Sequence, residues 1–247
     1  MVVQIYTYIF ILPFENTIMN FIITGGSRGL GFEIAKMAKS FNGKIALIAK
    51  DQDRLNKAKA ELAYENVTTY SCDFSIPQEI EKLITQLKKD FKSVDVLINN
   101  VGSFEVGELS NTKIEQVEKL LNVNFKATFN ITQAYLNDFK NQQSGSIINI
   151  GSIVTDQPRK DIAAYTISKF ALQGYTKLLC DELKDFGVKV TEVIPGSINT
   201  SSWDGINAPK QDFVQPIDIV NTIKMVINSS KGANFEQIIV RPTNRNF

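Results

Sequence analysis

The feature that most constrains this chain is a regular alternation. Short apolar runs rich in β-branched residues recur at 21–24, 45–49, 67–71, 94–98, 146–150, 188–194 and 237–240. Segments with helical periodicity, at 30–40, 53–63, 80–91, 114–139 and 163–186, lie between most of them. Strands that alternate with helices form parallel sheets whose two faces are both covered, because each crossover helix packs back on the sheet. The expected fold is therefore α/β, a doubly wound and mainly seven-stranded parallel sheet flanked by helices on both faces. No repeat, low-complexity tract or Pro/Gly-rich linker interrupts the pattern, so 19–247 reads as one domain. With 247 residues, 43% of them hydrophobic, the chain is long enough for a large core.

Residues 1–18 stand apart. Positions 5–12 are nearly all apolar, yet no basic segment or small-residue cleavage site accompanies them, and the run is too short to span a bilayer. Met19 directly precedes the first strand, so 1–18 is read as a dispensable extension or start-site artefact. The competing reading is an extra strand or a partner-binding arm.

Composition removes several chemistries. The chain has no histidine, which excludes Ser/His/Asp and Cys/His catalysis in their usual forms and takes away the commonest metal ligand. No metal site is expected. Cys72 and Cys180 are far apart without metal-ligand spacing, which suits a reduced, cytoplasmic chain. A formal net charge of +1 without a long basic run gives no footprint for nucleic acid, and no membrane association is expected. A small molecule is the expected partner.

The first strand runs into Thr24-Gly25-Gly26-Ser27-Arg28-Gly29-Leu30-Gly31 and then into an amphipathic helix. Glycine permits positive φ and close backbone approach, while the N–H groups and dipole of the helix N-terminus favour an anionic pyrophosphate. The spacing is Gly-x3-Gly-x-Gly, which is not the G-x-G-x-x-G fingerprint.

Further along, Tyr165-Thr166-Ile167-Ser168-Lys169 opens a long helical segment, and i, i+4 spacing puts Tyr165 and Lys169 on one face. A phenol near its usual pKa of about 10 is a poor base at neutral pH, and a nearby ammonium favours the phenolate. Bringing it to neutrality would take roughly 3 to 4 kcal/mol, at about 1.4 kcal/mol per unit.

These elements, taken together and in order, resemble the classical short-chain dehydrogenase/reductase (SDR) family from about Asn20 to the end. TGGSRGLG is similar to that family's TGxxxGxG turn, Asn99-Asn100-Val101-Gly102 to its NNAG with Val101 in place of Ala, and Tyr165 with Lys169 to its YxxxK. Asp73, in Cys72-Asp73-Phe74, matches the family's adenine-contacting acid. Ser152 and Asn124 match its catalytic serine and asparagine, and Pro195-Gly196-Ser197-Ile198-Asn199-Thr200 its PG segment against the nicotinamide.

The resemblance implies a single Rossmann-type domain and hydride transfer between a nicotinamide cofactor and a carbonyl or secondary alcohol, most simply as an NADPH-dependent carbonyl reductase. It implies catalytic roles for Asn124, Ser152, Tyr165 and Lys169. Tyr165 would exchange the proton, Ser152 would hold the reacting oxygen, Lys169 would lower the tyrosine pKa and hold the nicotinamide ribose, and Asn124 would order a water that links Lys169 to solvent. Cofactor contacts are implied for Gly25, Ser27, Arg28, Gly29, Leu30, Gly31, Lys50, Asp73, Phe74, Asn100, Val101, Gly102, Tyr165, Lys169, Pro195, Gly196, Ile198 and Thr200. Lys50 at the tip of the second strand and Arg28 in the glycine turn favour NADP(H) over NAD(H); the alternative is that Lys50 is a solvated charge and Asp51 takes the ribose. A homodimer or homotetramer packed through 114–139 and 163–186 is implied as well.

The irregular stretch 195–216 follows the sixth strand and is the candidate substrate lid. In it, Trp203 has two roles open, lining an apolar pocket or anchoring the loop. The chain lacks the Gly-rich ending with Asp-Gly-Gly of the family's acyl-carrier-protein reductases, which weakens that assignment. A non-catalytic dinucleotide-binding scaffold of the same fold is the remaining alternative, against which the intact Ser152, Tyr165 and Lys169 stand.

Overall fold

A computed structural model describes residues 18–203, 205 and 208–244. The extension at 1–17 lies outside the described residues, as do Asp204 and Ile206 of the lid. Seven strands, β1 (Met19–Thr24), β2 (Asn42–Ala49), β3 (Val67–Ser71), β4 (Val96–Asn99), β5 (Gly145–Ile150), β6 (Val188–Pro195) and β7 (Gln237–Val240), form one sheet in the order β3-β2-β1-β4-β5-β6-β7. Every pairing is parallel. The order reverses between β1 and β4, which opens a crevice at the carboxyl ends of those strands.

The helices are α1 (Gly29–Ala38), α2 (Gln52–Leu62), α3 (Pro77–Asp90), α4 (Ile114–Leu121), α5 (Ala127–Gln142), α6 (Ala163–Leu183) and α7 (Pro216–Asn228). Alternate strand residues enter two separate cores. Phe21, Ile23, Ile45 and Leu47 pack under α1, α2 and α7, and Ile22, Ala46, Ile48 and Leu97 pack under α3, α5 and α6. That period of two, with both faces buried, is why these strands are near-continuously apolar.

Three elements depart from the expectation. Helix α7 was not foreseen, because the irregular stretch runs straight into Pro216, which serves as the first helical residue; Ile219, Val220, Ile223, Val226 and Ile227 then form its buried stripe. The expected helix over 114–139 is interrupted by a π-helical turn at Asn122–Lys126 that separates α4 from α5. β4 begins at Val96 rather than 94, although Asp95 still donates its backbone N–H to Asn20 O of β1 (3.0 Å).

Candidate active site

The glycine turn closes the crevice at the end of β1. Gly25 has φ +69°, and a Cβ there would stand 2.8 Å from Asn100 Nδ2; at Gly31 it would stand 2.2 Å from the Gly25 carbonyl oxygen. Asn100 Nδ2 donates to the carbonyls of Thr24 (3.0 Å) and Gly25 (3.2 Å), and Thr24 Oγ1 accepts from the backbone N–H groups of Asn100 and Val101 (3.0 Å each). The two loops are thereby locked together. Helix α1 starts at Gly29 with no side-chain cap and no acid in its first turn, so no side chain of that turn neutralises the positive end of its dipole. The backbone of this turn fits a pyrophosphate, and glycine is needed for the chain to approach one so closely.

At the tip of β2, Lys50 Nζ lies 2.5 Å from Asp73 Oδ2 in an ion pair at the rim of the crevice. Burial alone would raise the Asp73 carboxyl, but Lys50 and hydrogen bonds from Ser75 outweigh it and hold it at about 2. Asp51 is engaged elsewhere: its carboxylate caps α2 by accepting from Arg54 N (3.0 Å) and pairs with Arg54 Nε (3.2 Å). Phe74 turns inward and is 4% exposed, packed with Tyr70, Cys72 and Ile80, so any contact it makes with a ligand falls to its backbone.

The four expected catalytic residues converge at the carboxyl ends of β4 and β5. Ser152 follows β5, and Tyr165 and Lys169 sit on the first turns of α6. Lys169 is 4% exposed; its Nζ donates to Ile150 O (2.8 Å) and lies 5.8 Å from the centre of the Tyr165 ring. Burial pushes the lysine down to about 8.

Burial raises the Tyr165 pKa, and the neighbouring Ser152 hydroxyl offsets part of this. The lysine ammonium is directed to a carbonyl beside the ring instead of to the phenol oxygen, so desolvation of the phenolate wins.

Asn124 is fully buried in the π-turn between α4 and α5. Its amide pairs with the Ser103 backbone in both directions, accepting from Ser103 N (2.7 Å) and donating to Ser103 O (2.9 Å), and also donates to Ser168 Oγ (2.8 Å). The side chain thus ties the loop after β4 to α6. A Cβ on Gly102 would come within 3.6 Å of Asn124 Oδ1 and 3.8 Å of Lys169 Nζ, so Gly102 lies between the two. A π-turn widens the helix locally and recurs at functional sites.

The cleft wall is aromatic and the lid is tied down. Phe104, 55% exposed, meets Tyr165 edge-on at 5.1 Å. A parallel bridge joins Ile198 to Val214, with Asn199 N donating to Val214 O (2.9 Å) and Val214 N to Ser197 O (3.0 Å). Of the two roles open to Trp203, the ring serves as an anchor: it packs at 4.8 Å on Phe213, which is 4% exposed. Arg28, Gly29, Asn199, Thr200, Lys210 and Pro216 surround a recess of about 410 Å³ where lid, glycine turn and PG segment meet. Thr200 stands opposite Gly29, its Cβ 3.6 Å from where a glycine Cβ would be, and Pro195 and Gly196 lead into that segment from β6. No group of three or more Cys, Asp or Glu among the described residues is arranged to hold a metal.

Sequence reasoning passed over a row of polar residues across the sheet. Asn99, Asn149, Glu192 and Gln237 are neighbours in register on β4, β5, β6 and β7, and share a face. Asn99 Nδ2 donates to Asn149 Oδ1 (2.8 Å), Asn149 Nδ2 to Thr176 Oγ1 (2.8 Å), and Gln237 Nε2 to Glu192 Oε2 (2.9 Å). The signal was present: a carboxylate inside the apolar run of β6 needs a reason.

Comparison with known proteins agrees with this geometry. An uncharacterized oxidoreductase of Staphylococcus aureus (strain MRSA252) is 28% identical over 221 residues, covering 90% of this chain and 96% of the relative. A metagenomic short-chain oxidoreductase, solved in complex with NADP, is 29% identical with a TM-score of 0.80, covering 93% of this chain and 99% of that one. An alcohol dehydrogenase from the archaeon Thermococcus sibiricus, solved with 5-hydroxy-NADP, shares the fold at a TM-score of 0.82 and 24% identity, covering 92% and 97%. The family model described as short chain dehydrogenase matches residues 19–211, a span that holds the glycine turn, the Asn99–Gly102 loop, Ser152 and the Tyr165–Lys169 pair, and the chain belongs to that family.

Proposed function

We propose that this chain is an NADPH-dependent carbonyl reductase. The observation that carries the reading is the Tyr165 phenol, held neutral by burial beside Ser152, with Lys169 one turn further along α6 and all three next to the glycine-lined crevice. Nicotinamide, when bound, supplies the hydride; the protein's own groups handle the proton and the charge. Ser152 Oγ donates to the substrate oxygen and stabilises the charge that develops there. Tyr165 Oη gives its proton to the same oxygen. Lys169 presents a cation to the ribose side of the crevice, and Asn124 fixes the loop that carries Gly102 against it. Alcohol oxidation by the same residues needs the phenolate, which burial disfavours.

Preference for NADP(H) rests on β2. Asp51 is committed to capping α2, whereas Lys50 and Arg28 are exposed cations at the rim, suited to a 2′-phosphate. The NADP complex of the metagenomic relative supports this choice. The adenine contact falls to Asp73, and the carboxamide contacts to Ile198 and Thr200.

The working unit is the domain over 19–247, assembled as a homodimer or homotetramer. Ile167, Phe170 and Leu178 leave 42%, 42% and 70% of their surface exposed along one stripe of α6, next to Phe129 on α5, and a second copy of the same surface would cover them. Among the described residues no helix is long and apolar enough to cross a membrane, and Cys72 and Cys180 stand as free thiols, which suits the cytoplasm.

The test is titration with NADPH and NADH separately, followed by NADPH oxidation over a panel of aldehydes and ketones. NADPH-selective binding with turnover is expected. Folded protein that binds neither nucleotide, or binds without reducing any carbonyl, would overturn the reading.

A further inference from the structure

Glu192 lies in the middle of β6, is completely buried, and has one carboxylate oxygen, Oε1, with no hydrogen-bond partner. An ionisable group in that condition is costly unless a charge of opposite sign is near. The backbone of Ile150 and Gly151 supplies the geometric link. Lys169 Nζ donates to the Ile150 carbonyl (2.8 Å), and Glu192 Oε1 lies 2.5 Å from the point a Gly151 Cβ would occupy. Glycine at 151 leaves the space that the carboxylate fills. Gln173, one helical turn beyond Lys169 on the same face of α6, donates to Thr155 Oγ1 (3.0 Å) and lends its amide dipole to the Glu192 carboxylate. On its other side the carboxylate forms the floor of a recess of about 490 Å³ between α6 and the β6–β7 edge.

We propose that Glu192 is a positioning residue for the reaction assigned above: a carboxylate sealed behind Lys169 that keeps the lysine in its ammonium form and so sets the alkaline limit of activity. The inference rests on that functional reading for its kinetic consequence, though not for the coupling itself. Burial drives Lys169 down to about 8, and Glu192 is the group that acts against burial. Burial in turn raises the Glu192 carboxyl, opposed by Gln237, Gln173 and the charges of Lys169 and Lys177. The other titratable groups on this recess are Cys180 on α6, whose thiol burial pushes up to about 11, and Glu236 beside β7. Neither acts on Lys169, and Tyr165, whose ring centre lies 5.8 Å from Nζ, is pushed towards its neutral form by burial, so Glu192 is the carboxylate that bears on the lysine.

The experiment is a pH titration of the Lys169 side-chain Cε resonance in ¹³C-lysine-labelled protein, with Lys169→Arg used only for assignment. In Glu192→Gln the midpoint should fall by about one pH unit or more, since an opposite charge is removed, and Glu192→Asp should restore most of it. An unchanged midpoint in folded Glu192→Gln overturns the proposal. Should Glu192→Gln fail to fold, the wild-type resonance decides: it should show a second inflection where Glu192 takes up its proton, and a single-step titration overturns the coupling. In the kinetic arm, the alkaline limb of kcat/KM should move to lower pH in Glu192→Gln by the same shift, with NADPH affinity unchanged below it. A wild-type protein without turnover would remove the functional reading, while the lysine titration still decides the role of Glu192.

Discussion

Lys50 and Asp73 form one ion pair at 2.5 Å, so the cation that would read a 2′-phosphate and the acid that would read adenine are electrostatically a single unit. A phosphate arriving at this rim competes with Asp73 for Lys50 without having to desolvate a buried charge, because the Lys50 side chain is 74% exposed. Lys50→Ala should weaken NADPH binding by roughly tenfold, about 1.4 kcal/mol for one charge-assisted contact, and leave NADH nearly unchanged. Calorimetric titration with each nucleotide checks this, and equal loss for both would move the discriminating contact to Arg28.

Tyr165→Phe removes the transferable proton and keeps the ring that meets Phe104. Carbonyl reduction should fall by about a thousandfold or more, with the dissociation constant for NADPH within about twofold of wild type. Single-turnover rates alongside binding isotherms separate the two quantities; a variant of near-normal rate would exclude Tyr165 as the proton donor.

Asn124→Ala would leave the part-buried Ser103 N–H and carbonyl without their partners. A cost of about 2 to 4 kcal/mol in urea unfolding is expected, since two backbone groups become unsatisfied. A variant as stable as wild type would mean that the π-turn holds without its side chain.

Lys169 also makes stability depend on pH. A lysine held down to about 8 in the fold, against 10.5 unfolded, loses its proton first in the folded state. The unfolded chain then binds more protons between those values, so folding stability rises as pH climbs from about 8 towards 10.5, and the penalty is fully present below about 8. Lys169→Met should abolish that rise. Thermal unfolding across this range reads the slope directly.

Gly151→Ala should be destabilising by about 1 to 3 kcal/mol, because the added methyl meets the Glu192 carboxylate. In a Glu192→Ala background the same change should cost far less, and additive effects in the double-mutant cycle would show that the collision lies elsewhere.

Much of this was legible from one chain because local rules and global fold agree. The seven β-branched runs are all strands, the central ones buried on both faces and the edge strands β3 and β7 partly exposed, and the i, i+4 spacing sets the Lys169 ammonium 5.8 Å from the centre of the Tyr165 ring. What stayed hidden depends on partners distant in sequence. Nothing near Asn122 announces a π-turn; it is held by the bonds of Asn124 to Ser103 and Ser168. The state of Tyr165 follows from burial, which spacing does not report. Helix α7 was missed because a proline ending a loop and a proline opening a helix are the same letter.

The bridge between Ile198 and Val214 has a practical meaning for anyone wishing to change what this protein acts on. Its two flanking hydrogen bonds use backbone atoms only, so they are indifferent to the side chains of the stretch they enclose. The ends of the segment between β6 and α7 are thus pinned by backbone atoms, and Thr200 opposite Gly29 and the buried Phe213 are the side chains that any exchange of this segment would have to keep.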